Sequence, residues 1–277
     1  MKEISSMKLT RIKPPYEILY QHTIFRHKTF KNTTFKDNSF FCSSFKVFIL
    51  YFCNRHYDVN NMITTMDTEI LQRTSVEKAN AFSHLFGAIV SIPAGWYVIS
   101  KGFEKSDLIG ISMVVFIVGF FVLYLASFLY HWVVEPKTKL LLRHFDHANI
   151  YILIAASYTP VWLAVVGGTL GIVACVSMWV VALMGIVYKI VALGKYPKLS
   201  LAIYLVMGWS VLLVAKPVFE KLSAFQLAFI LGEGVFYSVG TYFYAKKERP
   251  WFHVIWHFFV LAGTACHYVA MIPIVEQ

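Results

Sequence analysis

Seven apolar runs of about 20 residues, each able to cross the roughly 30 Å of hydrocarbon in a bilayer, dominate this chain. They occupy residues 80–100, 108–132, 146–166, 169–193, 198–216, 223–245 and 252–274. Inside hydrocarbon a backbone finds no water, so each run must close its own hydrogen bonds as a helix. The expected architecture is therefore an all-α integral membrane protein, a seven-transmembrane helix bundle. Hydrophobic residues fill 58% of the 277 positions and charged ones only 14%, whereas a soluble domain is roughly 45–50% apolar, which excludes a water-soluble fold.

Only Gly167 and Gly168, followed by Thr169 at the start of the fourth run, separate the third and fourth runs, enough for a tight helical hairpin because glycine tolerates the backbone angles required. Pro93, Pro160 and Pro217 fall inside or at the end of spans, where neighbouring helices can satisfy the carbonyl groups they free.

The net charge of +10 does not point to nucleic acid, since much of the excess lies in the first sixty residues and in short connectors. Alternate connectors differ in basic content. One set carries Lys137, Lys139, Arg143, Lys195, Lys198, Lys246, Lys247 and Arg249, and the other Lys101, Lys105, Lys216 and Lys221. The richer set is expected to face the cytoplasm, which puts the amino terminus inside and the end at Glu276 and Gln277 outside. Cys42, Cys53, Cys175 and Cys266 form no CxxC pair and suggest no disulfide framework.

Residues 1–66 form a head outside this pattern, with 67–277 as the membrane domain. The stretch 25–52 is rich in phenylalanine, threonine and lysine, and its apolar run, 47–53, is too short to span. That run lies far from Met1 and lacks a small-residue cleavage site, which argues against a signal peptide. Two readings stay open: a poorly ordered cytoplasmic tail, or translation that begins at Met62 or Met66.

Histidine and aspartate are costly in a bilayer, so their clustering at one depth marks a functional site. His131 ends the second run, Asp146 begins the third, and His253 with His257 begin the seventh, all at the expected cytoplasmic face. Residues four apart share a helix face, so His253 and His257 can present two imidazoles to one ion, and Ser127 lies one turn from His131. Three imidazoles plus water make the open four-coordinate arrangement of catalytic zinc. Each element alone has a plainer explanation: interfacial histidines, a serine bonded to a backbone carbonyl, or an aspartate at the positive end of a helix. Their joint occurrence at one depth favours the metal. His144 and His147 are expected to face headgroups or water. His267, ten residues past His257 and hence roughly 15 Å deeper, is too far to share the ion.

SFLYH at 127–131, DHANIYILIAASYTP at 146–160, HVIWHFFVLAGTACH at 253–267 and EKANAFSH at 77–84 together resemble the haemolysin III branch of the progestin and adipoQ receptor family. The resemblance covers about 75–274. It implies a seven-helix fold, an intramembrane zinc near the cytoplasmic face and a distant kinship with alkaline ceramidases. By position it implies His131, His253 and His257 as zinc ligands, Asp146 as the residue holding the metal's water, and Ser127 as its polar neighbour. Glu77, Asn80 and His84 match the motif opening the first helix and form a possible pocket. Ala156 and Ser157 stand where glycine and threonine are commoner in the family, and the head has no counterpart there.

Zinc on three neutral imidazoles lowers the pKa of its water to near 7 and can polarise a carbonyl. Asp146 would take the proton or orient the water, and Ser127 would steady an oxyanion or orient His131. Such a site among membrane helices suits a lipid amide or ester, and the expected function is a ceramidase-like lipid hydrolase in a bacterial inner (plasma) membrane. The partners expected are membrane lipids, as substrate or ligand. The alternatives are a pore-forming haemolysin causing cytolysis, a ligand-binding receptor of the same fold, and a structural zinc to which His84 adds a fourth ligand.

Overall fold

The computed structural model describes residues 75–193, 195–246 and 248–276. The head at 1–66 and both candidate start sites lie outside the described residues. Among the described residues all regular structure is helical. The elements are α1 (Ser75–Lys105), α2 (Asp107–Trp132), α3 (Pro136–Pro160), α4 (Gly168–Ala192), α5 (Pro197–Gly208), α6 (Ala215–Lys221), α7 (Ala224–Ala245) and α8 (Pro250–Glu276). A π-helical stretch, Val161–Val166, prolongs α3, and a 3-10 stretch, Ser210–Val214, joins α5 to α6.

Six of these helical units are long and apolar enough to cross a membrane: α1, α2, α3 with its π extension, α4, α5 through α6, and α8. The 22-residue α7, expected as the sixth span, is not among them. Gln226 and Glu233 lie within it and are buried rather than turned to lipid.

Local chemistry sets the ends of the helices. Ser106 caps α2 by accepting from the Ile109 amide, and Ser223 forms a reciprocal capping box with Gln226 at the start of α7. Glu135 accepts from the amides of Lys137 and Thr138, so α3 begins at Pro136, ten residues before the apolar run at 146. Lys139 and Arg143 consequently belong to the first turns of a helix rather than to a loop. Gly167 and Gly168 both have positive φ, 64° and 57°, as the hairpin between the third and fourth spans requires.

The fifth span is not the continuous helix expected. It breaks at Gly208, whose carbonyl accepts from the Tyr158 hydroxyl, and runs through 3-10 turns before Pro217. Pro217 has no amide to offer residue 213, so the regular ladder cannot pass through that turn. Pro93, by contrast, lies inside an unbroken 31-residue α1.

α1 packs against α2 and α8, α2 against α3, and α7 against α8. The α2 and α3 backbones approach closely at Gly119, where an added Cβ would stand 2.4 Å from Ala156 Cβ. Phe116, Tyr151, Trp162 and Met271 fill the core, while Trp96, Val206 and Leu213 are exposed, as befits a surface solvated by lipid.

Candidate metal centre

His131 from α2 and His253 and His257 from α8 converge at one end of the bundle. One ring nitrogen from each lies within 4.8 Å of the others, with His131 and His257 buried and His253 partly so. Ring centroids are 5.2 Å apart for His131 and His253, 5.1 Å for His131 and His257, and 4.7 Å for the α8 pair. Zinc at about 2.1 Å from each nitrogen would set them roughly 3.4 Å apart, so side-chain torsions need close the cluster by at most about 1.4 Å.

The outer partners of two rings decide which nitrogens are available. Nδ1 of His131 lies 3.3 Å from Oε2 of Glu77, an acceptor, so the proton belongs on Nδ1. The buried Nε2 of the same ring has no hydrogen-bond partner among the described residues. Nδ1 of His257 lies 3.1 Å from the Asn80 carbonyl and 3.0 Å from Ser83 Oγ. Ser83 already donates its proton to the Asn80 carbonyl at 2.8 Å, so both neighbours accept and His257 too carries its proton on Nδ1. Each ring thus keeps an Nε2 lone pair for an ion, the arrangement common around metal-ligating histidines. Three convergent imidazoles, with the buried Nε2 of His131 unpartnered among the described residues, fit a zinc-like cation.

Glu77 is also tied to Lys139, whose ammonium donates to Oε2 at 2.9 Å and to the Tyr130 carbonyl at 3.1 Å. Lys139 is buried, so it is no headgroup-facing charge. Asn80 contributes its carbonyl to the site, and its side-chain Oδ1 is without a partner among the described residues.

His84 stacks on His257 with ring centroids 3.7 Å apart and 10° between planes. It lies outside the three-histidine cluster.

Asp146 and Ser127 line a cavity together with His84, His253 and His257. Asp146 also stands outside the ligand cluster, beside it rather than in it. The expectation that His147 faces headgroups or water is wrong. It lines the same cavity, with Nδ1 3.3 Å from Asp146 Oδ2 and 2.9 Å from the Arg143 carbonyl. The early start of α3 explains this: residue 147 is about three turns into the helix and already inside the bundle. His144 is partly buried, with Nδ1 2.9 Å from the Leu140 carbonyl.

His267 is engaged elsewhere, 2.6 Å from Glu233. Glu233, Lys139 and Ser83 were not anticipated from the sequence. Only Ser83 had a usable signal, since Glu77, Asn80 and Ser83 recur every three residues along α1.

Residues 72–268 match the family model described as haemolysin-III related. The chain belongs to the haemolysin III family. It is 41% identical over 197 residues to the hemolysin-3 homolog of Bacillus subtilis (strain 168), covering 71% of this chain and 92% of that protein. It is 38% identical over 206 residues to hemolysin-3 of Bacillus cereus, covering 73% and 93%. The monocyte to macrophage differentiation factor of Homo sapiens is 31% identical over 205 residues, covering 70% and 82%. As a haemolysin III protein the chain is a multi-pass integral membrane protein, and its bacterial relatives accord with the expected plasma-membrane location. Every residue of the three-histidine cluster and its surroundings falls within the matched region.

Proposed function

We propose that this haemolysin III protein is a zinc-dependent hydrolase of lipid amides or esters, built as seven spans with a cytoplasmic amino terminus. In this reading α7 is the sixth span, its buried Gln226 and Glu233 hidden from lipid by neighbouring helices. Residues 67–277 form the membrane domain. The observation that carries the proposal is the three-imidazole cluster, with Nδ1 of His131 and of His257 each already committed to an acceptor.

Zinc held there supplies a Lewis acid and a water ionisable near neutral pH. Asp146, in the cavity beside the cluster, orients the attacking water and takes its proton. His147 stands beside Asp146, its Nδ1 3.3 Å from Oδ2, and limits where the carboxylate can turn. Ser127 offers its hydroxyl to the oxyanion that develops on the scissile carbonyl. Glu77 and the Asn80 carbonyl fix two ligand rings, so little reorganisation is needed as charge builds. The walls running away from the cluster carry Leu123, Ile150, Leu153, Ile154 and Val260, apolar residues suited to an acyl chain.

Incubating the purified, zinc-loaded protein with ceramides and phospholipids tests this reading. Fatty acid release that disappears in Asp146→Asn supports it, and no release from any lipid in the panel contradicts it. The name of the bacterial relatives, hemolysin, supports a second reading, lysis of a target membrane. Zinc-independent conductance in planar bilayers would favour that reading over hydrolysis.

A further inference from the structure

Far from the three histidines, one member of a second buried polar pair, Glu233, lines the same cavity. Oε2 of Glu233 on α7 lies 2.6 Å from Nδ1 of His267 on α8, and both side chains are almost wholly buried. His257 and His267 are ten residues apart on α8, so the pair lies roughly 15 Å along the helix from the cluster. Glu233 lines the cavity and His267 does not. One carboxylate oxygen is therefore turned into the wall towards the imidazole, and among the described residues no hydrogen bond reaches the other.

A tie between two helices gives no account of this placement, because buried ion pairs often add little net stability and need no opening onto a cavity. An acceptor at the end of an apolar slot leaves a hydrogen bond unmade when a plain hydrocarbon fills the space, and gains one when the occupant ends in a donor. We propose that Glu233, positioned by His267, is a subsite for a hydroxyl group at the far end of a lipid chain whose carbonyl end lies at the metal centre. The span accommodates a chain of roughly a dozen carbons, given a C–C bond of about 1.5 Å in an extended zig-zag. The subsite rests on the reading of this cavity as a lipid site.

Displacement of a fluorescent fatty acid from the detergent-purified full-length protein tests the proposal. The competitors are dodecanoate and dodecanoate bearing a terminal hydroxyl, each measured with zinc and with chelator. The hydroxylated chain should bind at least about tenfold more tightly to the wild type, the range of one buried hydrogen bond gained. Glu233→Leu should erase that preference while leaving dodecanoate affinity within severalfold of wild type. Should Glu233→Leu not fold, Glu233→Gln decides, since its neutral amide should cut the preference severalfold. Equal binding of the two chains by wild type, or an undiminished preference in either variant, overturns the proposal. A hydroxyl preference that persists while neither chain responds to zinc upholds the subsite and contradicts the metal reading. Binding of neither chain overturns the lipid slot and the subsite together.

Discussion

Glu77 Oε2 lies 3.3 Å from His131 Nδ1, so a carboxylate on α1 sets the tautomer and orientation of an imidazole on α2. Such outer partners typically contribute 10–100-fold in metal affinity. Glu77→Gln should therefore weaken zinc binding by about that factor while the three histidines remain. Competition with a chromogenic chelator measures it, and wild-type affinity in the variant would count against the orienting role.

Lys139 is the buried cation that balances Glu77. Removing one partner of a buried pair costs about 3–5 kcal/mol, and Glu77 is partly exposed, so Lys139→Met should lose about 3 kcal/mol. Adding Glu77→Gln should recover part of that loss, because no unpaired carboxylate is then left behind. Thermal unfolding in detergent of the two single variants and the double variant gives the coupling, and strictly additive losses would contradict the pairing.

Asp146 lines the cavity without joining the ligand cluster. Asp146→Asn should accordingly retain the metal and lose about 10²–10⁴-fold in lipid hydrolysis, the range for removing a general base. Parallel metal analysis and fatty-acid release separate the two effects. Loss of metal along with activity would make Asp146 a ligand instead.

Gly119 and Ala156 bring α2 and α3 into close contact, with room for one Cβ and not two. Gly119→Ala should destabilise the bundle by about 1–3 kcal/mol through overpacking. Combining it with Ala156→Gly should restore most of the stability. A double variant no more stable than Gly119→Ala would show that the backbones, not these Cβ atoms, set the approach.

Much of this arrangement was legible in the sequence because the bilayer imposes strong rules. Hydrocarbon thickness fixes span length, which made the apolar runs countable, and the cost of burying imidazole made His131, His253 and His257 conspicuous. Helical periodicity then put His253 and His257 on one face. The residues that tune the site were harder to see. Lys139 looked like a loop charge because the apolar run begins at 146, although Glu135 and Pro136 start the helix much earlier. His147 was misplaced for the same reason. Glu233 is a single carboxylate in an apolar run, and its partner lies 34 residues away on another helix. At the break the Gly208 carbonyl accepts from the hydroxyl of Tyr158, fifty residues distant, a contact that no local pattern reports.

The metal content of the detergent-purified protein tests the central claim most directly, measured for wild type and for His84→Ala, His131→Ala, His253→Ala and His257→Ala. The account predicts one zinc per wild-type chain, retained in His84→Ala and lost in the other three. No stoichiometric metal in the wild type, or loss in His84→Ala as complete as in His257→Ala, would contradict it.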